Sequence, residues 1–171
     1  MSVREKFTNT EWDRLRLLPF VIFEIVADVD LEVDYSEVKE LLHELRHPGR
    51  DHEQLHRELF AQTSTTAEIE DFLATAAAVV GTKELINREV AEDRSILQTR
   101  LSDEEYRQFI ASMIRFASKI AGASGVHPHR IDDLEQLAID VLADSFGVPN
   151  LEVLLPRLDE RRRQRSLGPE T

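Results

Sequence analysis

Five carboxylates crowd ten residues of this sequence: Asp28, Asp30, Glu32, Asp34 and Glu37. Hard divalent cations such as Ca²⁺, Mg²⁺ or Mn²⁺ take oxygen ligands of this kind. Without a cation the cluster is unfavourable, because like charges this close repel. Asp28 also falls near the end of an expected helix, where the dipole disfavours an anion. The spacing is not that of an EF-hand. With Asp28 as the first position, Val33 stands where glycine is required and Lys39 where the bidentate glutamate belongs. A purely structural role is also open. Asp34 and Glu37 make the reciprocal pair of a helix N-terminus, and an exposed loop tolerates acids.

A second chemistry is spelled by His43-Glu44-Leu45-Arg46-His47, the H-E-x-x-H pattern of zinc peptidases. Two histidines four apart share a helix face and could hold Zn²⁺, with Glu44 as general base. That makes a small zinc-dependent hydrolase the alternative to a non-catalytic protein. Three features oppose it. The apolar stripe of this helix centres near Leu45, which turns His43 and His47 to the solvent side. Arg46 sets a fixed positive charge beside the would-be zinc. Pro48-Gly49 ends the helix at once. The expectation is a solvated pair, able at most to take a surface ion. His52 and His56 form another pair at the same spacing, expected on an exposed face. His127 and His129 flank Pro128 and read as turn residues.

The elements that must position these residues are helices from end to end. Thr10 with Asp13 opens the first, which runs to about Asp28, with Pro19 as a kink or a later start. Asp34 with Glu37 opens the next, with the stripe Val38, Leu41, Leu42, Leu45. Asp51 opens a short helix through Leu55, Leu59 and Phe60. Thr65 with Glu68 opens a fourth through Ile69, Phe72 and Ala76. A fifth covers about Thr82 to Thr99. Ser102 with Glu105 opens a long sixth through Phe109, Met113, Phe116 and Ile120. Asp132 with Glu135 opens a seventh through Leu134, Leu137, Ala138, Val141 and Leu142, closed by Gly147. A last helix starts at Asn150 and carries Pro156. Trp12, Phe20, Phe23, Phe72, Phe109 and Phe116 fall on apolar stripes and are assigned to the core. No period-2 stretch suggests a strand.

Composition agrees. The chain has 171 residues with only 6 Gly and 6 Pro, too few turn-formers for a sandwich of many short strands. It has no cysteine, hence no disulfide, thiolate metal site or cysteine nucleophile. No phosphate-binding glycine loop or G-x-S-x-G elbow is present. The net charge of −12 repels nucleic acid and anionic lipid and favours cations and basic protein surfaces. The apolar stretch from Leu15 to Val33 is broken by charges, so no membrane span is expected, and no secretory signal opens the chain. These features point to a cytoplasmic protein.

A shift of 94 residues lays Phe20–Phe23 on Ile114–Ala117 and Val26-Ala27 on Ile120-Ala121. Each half then reads as a long apolar helix, a polar loop and an acid-capped helix, which suggests two packed helical hairpins. The run Ala27-Asp28-Val29-Asp30-Leu31-Glu32-Val33-Asp34-Tyr35-Ser36-Glu37 resembles the acidic loop of the TerB-like (tellurite-resistance) family. Ile120-Ala121-Gly122-Ala123-Ser124-Gly125 is similar to that family's later turn. Leu31 departs from it where glycine is usual, and Ser124 where an acid would serve a second metal. The resemblance covers about Glu11 to Val148. It implies an all-α bundle of seven to eight helices and an acidic, potentially metal-binding surface. It implies no known reaction, in a bacterial stress or tellurite-resistance setting. Asp30, Asp34 and Glu37 carry over from the family; Asp28 and Glu32 join on charge.

Three segments follow: an N-terminal extension (1–9), the TerB-like helical domain (10–149) and a C-terminal helix with an arginine-rich tail (150–171). The last carries Leu151, Leu154, Leu155 and Leu158 at helical spacing, then Arg157, Arg161, Arg162, Arg163 and Arg165. It could fold onto the acidic body, pair with another copy or engage a protein partner.

Overall fold

A computed structural model describes residues 2–27, 35–48, 53–61, 65–80, 83–123, 131 and 133–148. Among them lie a 3₁₀ turn at Val3–Lys6 and eight α-helices. These are α1 (Asn9–Leu15), α2 (Leu18–Ala27), α3 (Tyr35–Arg46), α4 (Gln54–Ala61), α5 (Thr66–Val80), α6 (Lys83–Arg100), α7 (Asp103–Ala121) and α8 (Asp133–Ser145). No strand occurs among the described residues. The all-α bundle expected from the periodicity is the architecture observed. None of these helices is long and apolar enough to cross a membrane.

The expected first helix is two. Pro19 has no N–H to give and its ring crowds the carbonyl four residues back. The chain therefore breaks at Arg16-Leu17. Leu17 donates back to the Arg14 carbonyl (3.0 Å), and its own carbonyl accepts from Phe20 and Val21 (3.0 and 3.1 Å), starting α2 afresh. The start of α1 lies earlier than Thr10. Thr8 Oγ1 accepts from the Glu11 N–H (3.2 Å), and the Thr8 N–H donates to the Glu11 carboxylate (2.8 Å). The same reciprocal pair joins Thr65 to Glu68 and Ser102 to Glu105, as the sequence implies. At α4 it is Glu53 whose carboxylate takes the His56 N–H (3.1 Å). Asp34, Asp51 and Asp132, expected as caps, lie outside the described residues.

α2 is apolar almost all round, and every residue except Glu24 is buried. A helix of that kind must be enclosed, and α2 packs against α5, α7 and α8. The other central helix, α7, buries Phe109, Ile110, Met113, Phe116 and Ile120 and packs on α2, α3, α4 and α8. The aromatic side chains interlock. Phe20 stacks on Phe72 with ring centres 5.0 Å apart, and Phe60 meets Phe116 edge-on at 5.0 Å. Trp12, Phe20, Phe23, Phe109 and Phe116 are buried, as expected; Phe72 is half-buried beneath the Arg16 guanidinium. The first residues belong to this body. Glu58 on α4 accepts from Ser2 Oγ (2.7 Å) and from the Val3 and Arg4 N–H groups (3.1 and 2.8 Å), and Phe7 is buried beside Trp12.

Candidate functional site

Of the five carboxylates singled out for a cation, the structure describes Glu37. It is the third residue of α3 and is buried, 2% exposed. Asp28, Asp30, Glu32 and Asp34 lie outside the described residues. The segment is entered from Ala27, the buried last residue of α2, and left at α3, whose register sets Glu37 toward the interior with Leu41 and Leu45. Ala27 before the run and Glu37 at its end are thus set in the core, while Tyr35 and Ser36 are exposed.

Further along α3 the H-E-x-x-H residues part company. His43 and His47 are exposed, with ring centres 5.2 Å apart. Glu44 is turned inward. It sits three residues after Leu41 and beside Leu45, is buried, and accepts a charged hydrogen bond from Lys119 Nζ on α7. The two imidazoles that would hold a zinc are thus in solvent, while the carboxylate meant to activate its water is buried against α7. The carboxylate is already engaged in joining α3 to α7.

His56 is not on an exposed face. It lies fully buried with Leu55, Leu59 and Phe60. Its ring stacks on Phe60 at 4.0 Å, and Nδ1 hydrogen-bonds with Ser112 Oγ of α7 at 2.8 Å. The physical reason is spacing: position 56 adjoins Leu55 and precedes Phe60 by one turn, so it shares their stripe. An imidazole is accommodated there by the Nδ1 hydrogen bond and by ring packing on Phe60 and Phe116. His52, His127, His129 and the arginine-rich tail lie outside the described residues.

The densest charged contact is one the motifs did not point to. Arg14 on α1 reaches three acids of α6: Glu89 (2.8 Å), Glu92 (2.9 Å) and Asp93 (Nε to Oδ1, 2.8 Å). Asp93 is buried, and burial pushes its carboxyl up to about 7. Arg14 pulls the other way, while Glu89 and Glu92 add to the rise. A signal existed: Asp93 follows Val90 by three residues and precedes Leu97 by four, on the stripe that faces the core. Among the described residues no group of three or more His, Asp or Glu is gathered in a way that could hold a metal ion.

Compared with known proteins, the chain matches no family model, no curated protein and no solved structure. The arguments for its function are therefore those of its own residues.

Proposed function

We propose that this chain is a non-catalytic, acidic helical binding module of TerB-like type, offering the Asp28–Glu37 carboxylates to a divalent cation or a basic partner surface. The observation that carries the reading is the anchoring of the acidic run by Ala27 before it and Glu37 at its end, which are 1% and 2% exposed. Carboxylates this close in sequence repel one another, and a hard cation relieves that repulsion. The two-hairpin repeat belongs to the same proposal. In its support, α2 packs on α7, α3 meets α7 and α8 meets α2. Glu37 and Glu135 are also each the third residue of their helix, and both are buried. The hydrolase alternative is disfavoured by Glu44, turned inward to Lys119.

The test is a thermal titration with Ca²⁺, Mg²⁺ and Mn²⁺ in turn. A cation that binds the folded chain alone adds about 2.7 kcal/mol at a hundred times its Kd, a rise of several degrees in the midpoint. Asp30→Asn should abolish most of that rise. A midpoint unmoved by all three ions removes the cation from the reading. Stoichiometric zinc that disappears in His43→Ala would favour the hydrolase instead.

A further inference from the structure

α8 is apolar on two sides. Its inward face buries Ala138, Ile139, Leu142 and Ala143, continued by Phe146. Its outward face holds Leu134, Leu137 and Val141, which are 53%, 57% and 37% exposed. With Tyr35 these are the large hydrophobic side chains left exposed among the described residues. The spacing i, i+3, i+7 sets them in one stripe, rather than scattering them as single exposed aliphatics usually are. At 100° per residue Asp133, Asp140 and Asp144 fall along one flank of that stripe, and all three are exposed. The helix has no lysine or arginine.

We propose that this face is covered by the chain's own C-terminal segment, Leu151 to Arg165. Three observations choose this occupant. The first is charge: the segment holds Arg157, Arg161, Arg162, Arg163 and Arg165 against Glu152, Asp159 and Glu160, a net of +2 gathered toward its end, facing an α8 whose charged residues are all acidic. The second is pattern. Leu151, Leu154, Leu155 and Leu158 span eight residues, as do Leu134 to Val141, so a leucine row of matching length is available to lie on the stripe. Pro156 removes one backbone donor, so the fit rests on the leucine row and not on an unbroken helix. The third is continuity. α8 closes with Gly147 in the left-handed region (φ 69°), its N–H donating to the Asp144 carbonyl at 2.8 Å. The Val148 N–H donates to the Ala143 carbonyl at 3.0 Å. This paired closure turns the chain off the helix axis, and the leucine row begins three residues after Val148. Tethered so closely, the segment meets the stripe at an effective concentration that a separate partner or second copy does not reach in dilute solution.

The chain has no cysteine, so introduced thiols report without interference. Leu137→Cys with Leu154→Cys in the full chain should close an intramolecular disulfide under mild oxidation at low protein concentration. It should do so about tenfold faster than Arg57→Cys on α4 paired with the same Leu154→Cys, because the docked tail is held at one place. Position 137 is exposed, so the fold survives its replacement. Equal rates at the two positions would overturn the proposal, and so would failure of both pairs to close. A covalent dimer forming ahead of the internal bond would also overturn it and assign the face to a second copy.

Discussion

Asp93 gives the sharpest test of the packing between α1 and α6. Its carboxyl titrates at about 7 in the folded chain, against an ordinary value of 3.8, because burial outweighs the Arg14 guanidinium 2.8 Å away. The proton is thus held more tightly by the folded chain, by about 4 kcal/mol. With folded above unfolded, the stabilising contribution is complete below pH 3.8 and drains away as pH rises through about 7. Asp93→Asn fixes the neutral form. Relative to the unaltered chain it should gain stability by about 1.4 kcal/mol per pH unit across that window. Some of the gain is offset by a pH-independent loss of the ionic contact; Arg14 keeps Glu89 and Glu92. Arg14→Met acts in the opposite sense. Removing the cation raises the Asp93 carboxyl further, so its penalty should be small near pH 5 and grow to about 1–4 kcal/mol above pH 8. Urea unfolding followed by circular dichroism at pH 4.5, 6 and 8 measures both. If Asp93→Asn and the unaltered chain trace parallel curves over that range, the carboxyl does not titrate there and the reasoning fails.

Three further substitutions probe the rest of the frame. Ser102→Ala removes the hydroxyl that accepts from the Glu105 N–H (3.3 Å) and should lower stability by about 1 kcal/mol, or 2–4 °C in the thermal midpoint. Ser112→Ala strips the buried His56 of its 2.8 Å partner and should cost about 1–3 kcal/mol, with Ser112→Thr less harmful if the hydroxyl is what counts. Gly147→Ala forces a side chain into a left-handed residue (φ 69°) whose added carbon would lie 2.5 Å from the Arg94 side chain; a loss of about 1–2 kcal/mol by urea titration is expected.

Much of the architecture was legible in the sequence, for an identifiable reason. Thr65–Glu68 and Ser102–Glu105 each satisfy two backbone donors locally, so their meaning does not depend on the rest of the fold. The same logic applied to Thr8 and Glu11 would have corrected the start of α1; the neighbouring Thr10 and Asp13 imitate it. What stayed illegible were choices between faces. α8 carries enough aliphatics for two stripes, and Leu134, Leu137 and Val141, expected inside, face out while Ile139 and Phe146 face in. His56 is expected on an exposed face and Asp93 is passed over when polar side chains are assigned to solvent by type, and Glu44 reads as a general base rather than a core residue. Their sequence spacing already placed them among Leu55 and Phe60, Leu41 and Leu45, and Val90 and Leu97. Of the candidate cation ligands, Glu37 is the one for which the structure gives a place.

Several acids inside the bundle join one element to another. Glu44 ties α3 to α7 through Lys119, Asp93 ties α6 to α1 through Arg14, and Glu58 holds the N-terminal turn on α4. The first two are ion pairs on a buried carboxylate, which add little net stability over apolar packing; Glu58 is half-buried and takes backbone N–H groups instead. A helix shifted by one residue, however, would strand a buried carboxylate at a penalty of several kcal/mol, so each pair discriminates against misassembly. Two of the basic residues, Arg14 and Lys119, meet acids that turn inward. Between Arg16 and Lys39 the chain has no basic residue, and that interval contains Asp28, Asp30, Glu32, Asp34 and Glu37. Where α1 and α6 meet, a guanidinium answers three carboxylates. A charge supplied from elsewhere, by a metal ion or a basic surface, is what the proposed function adds.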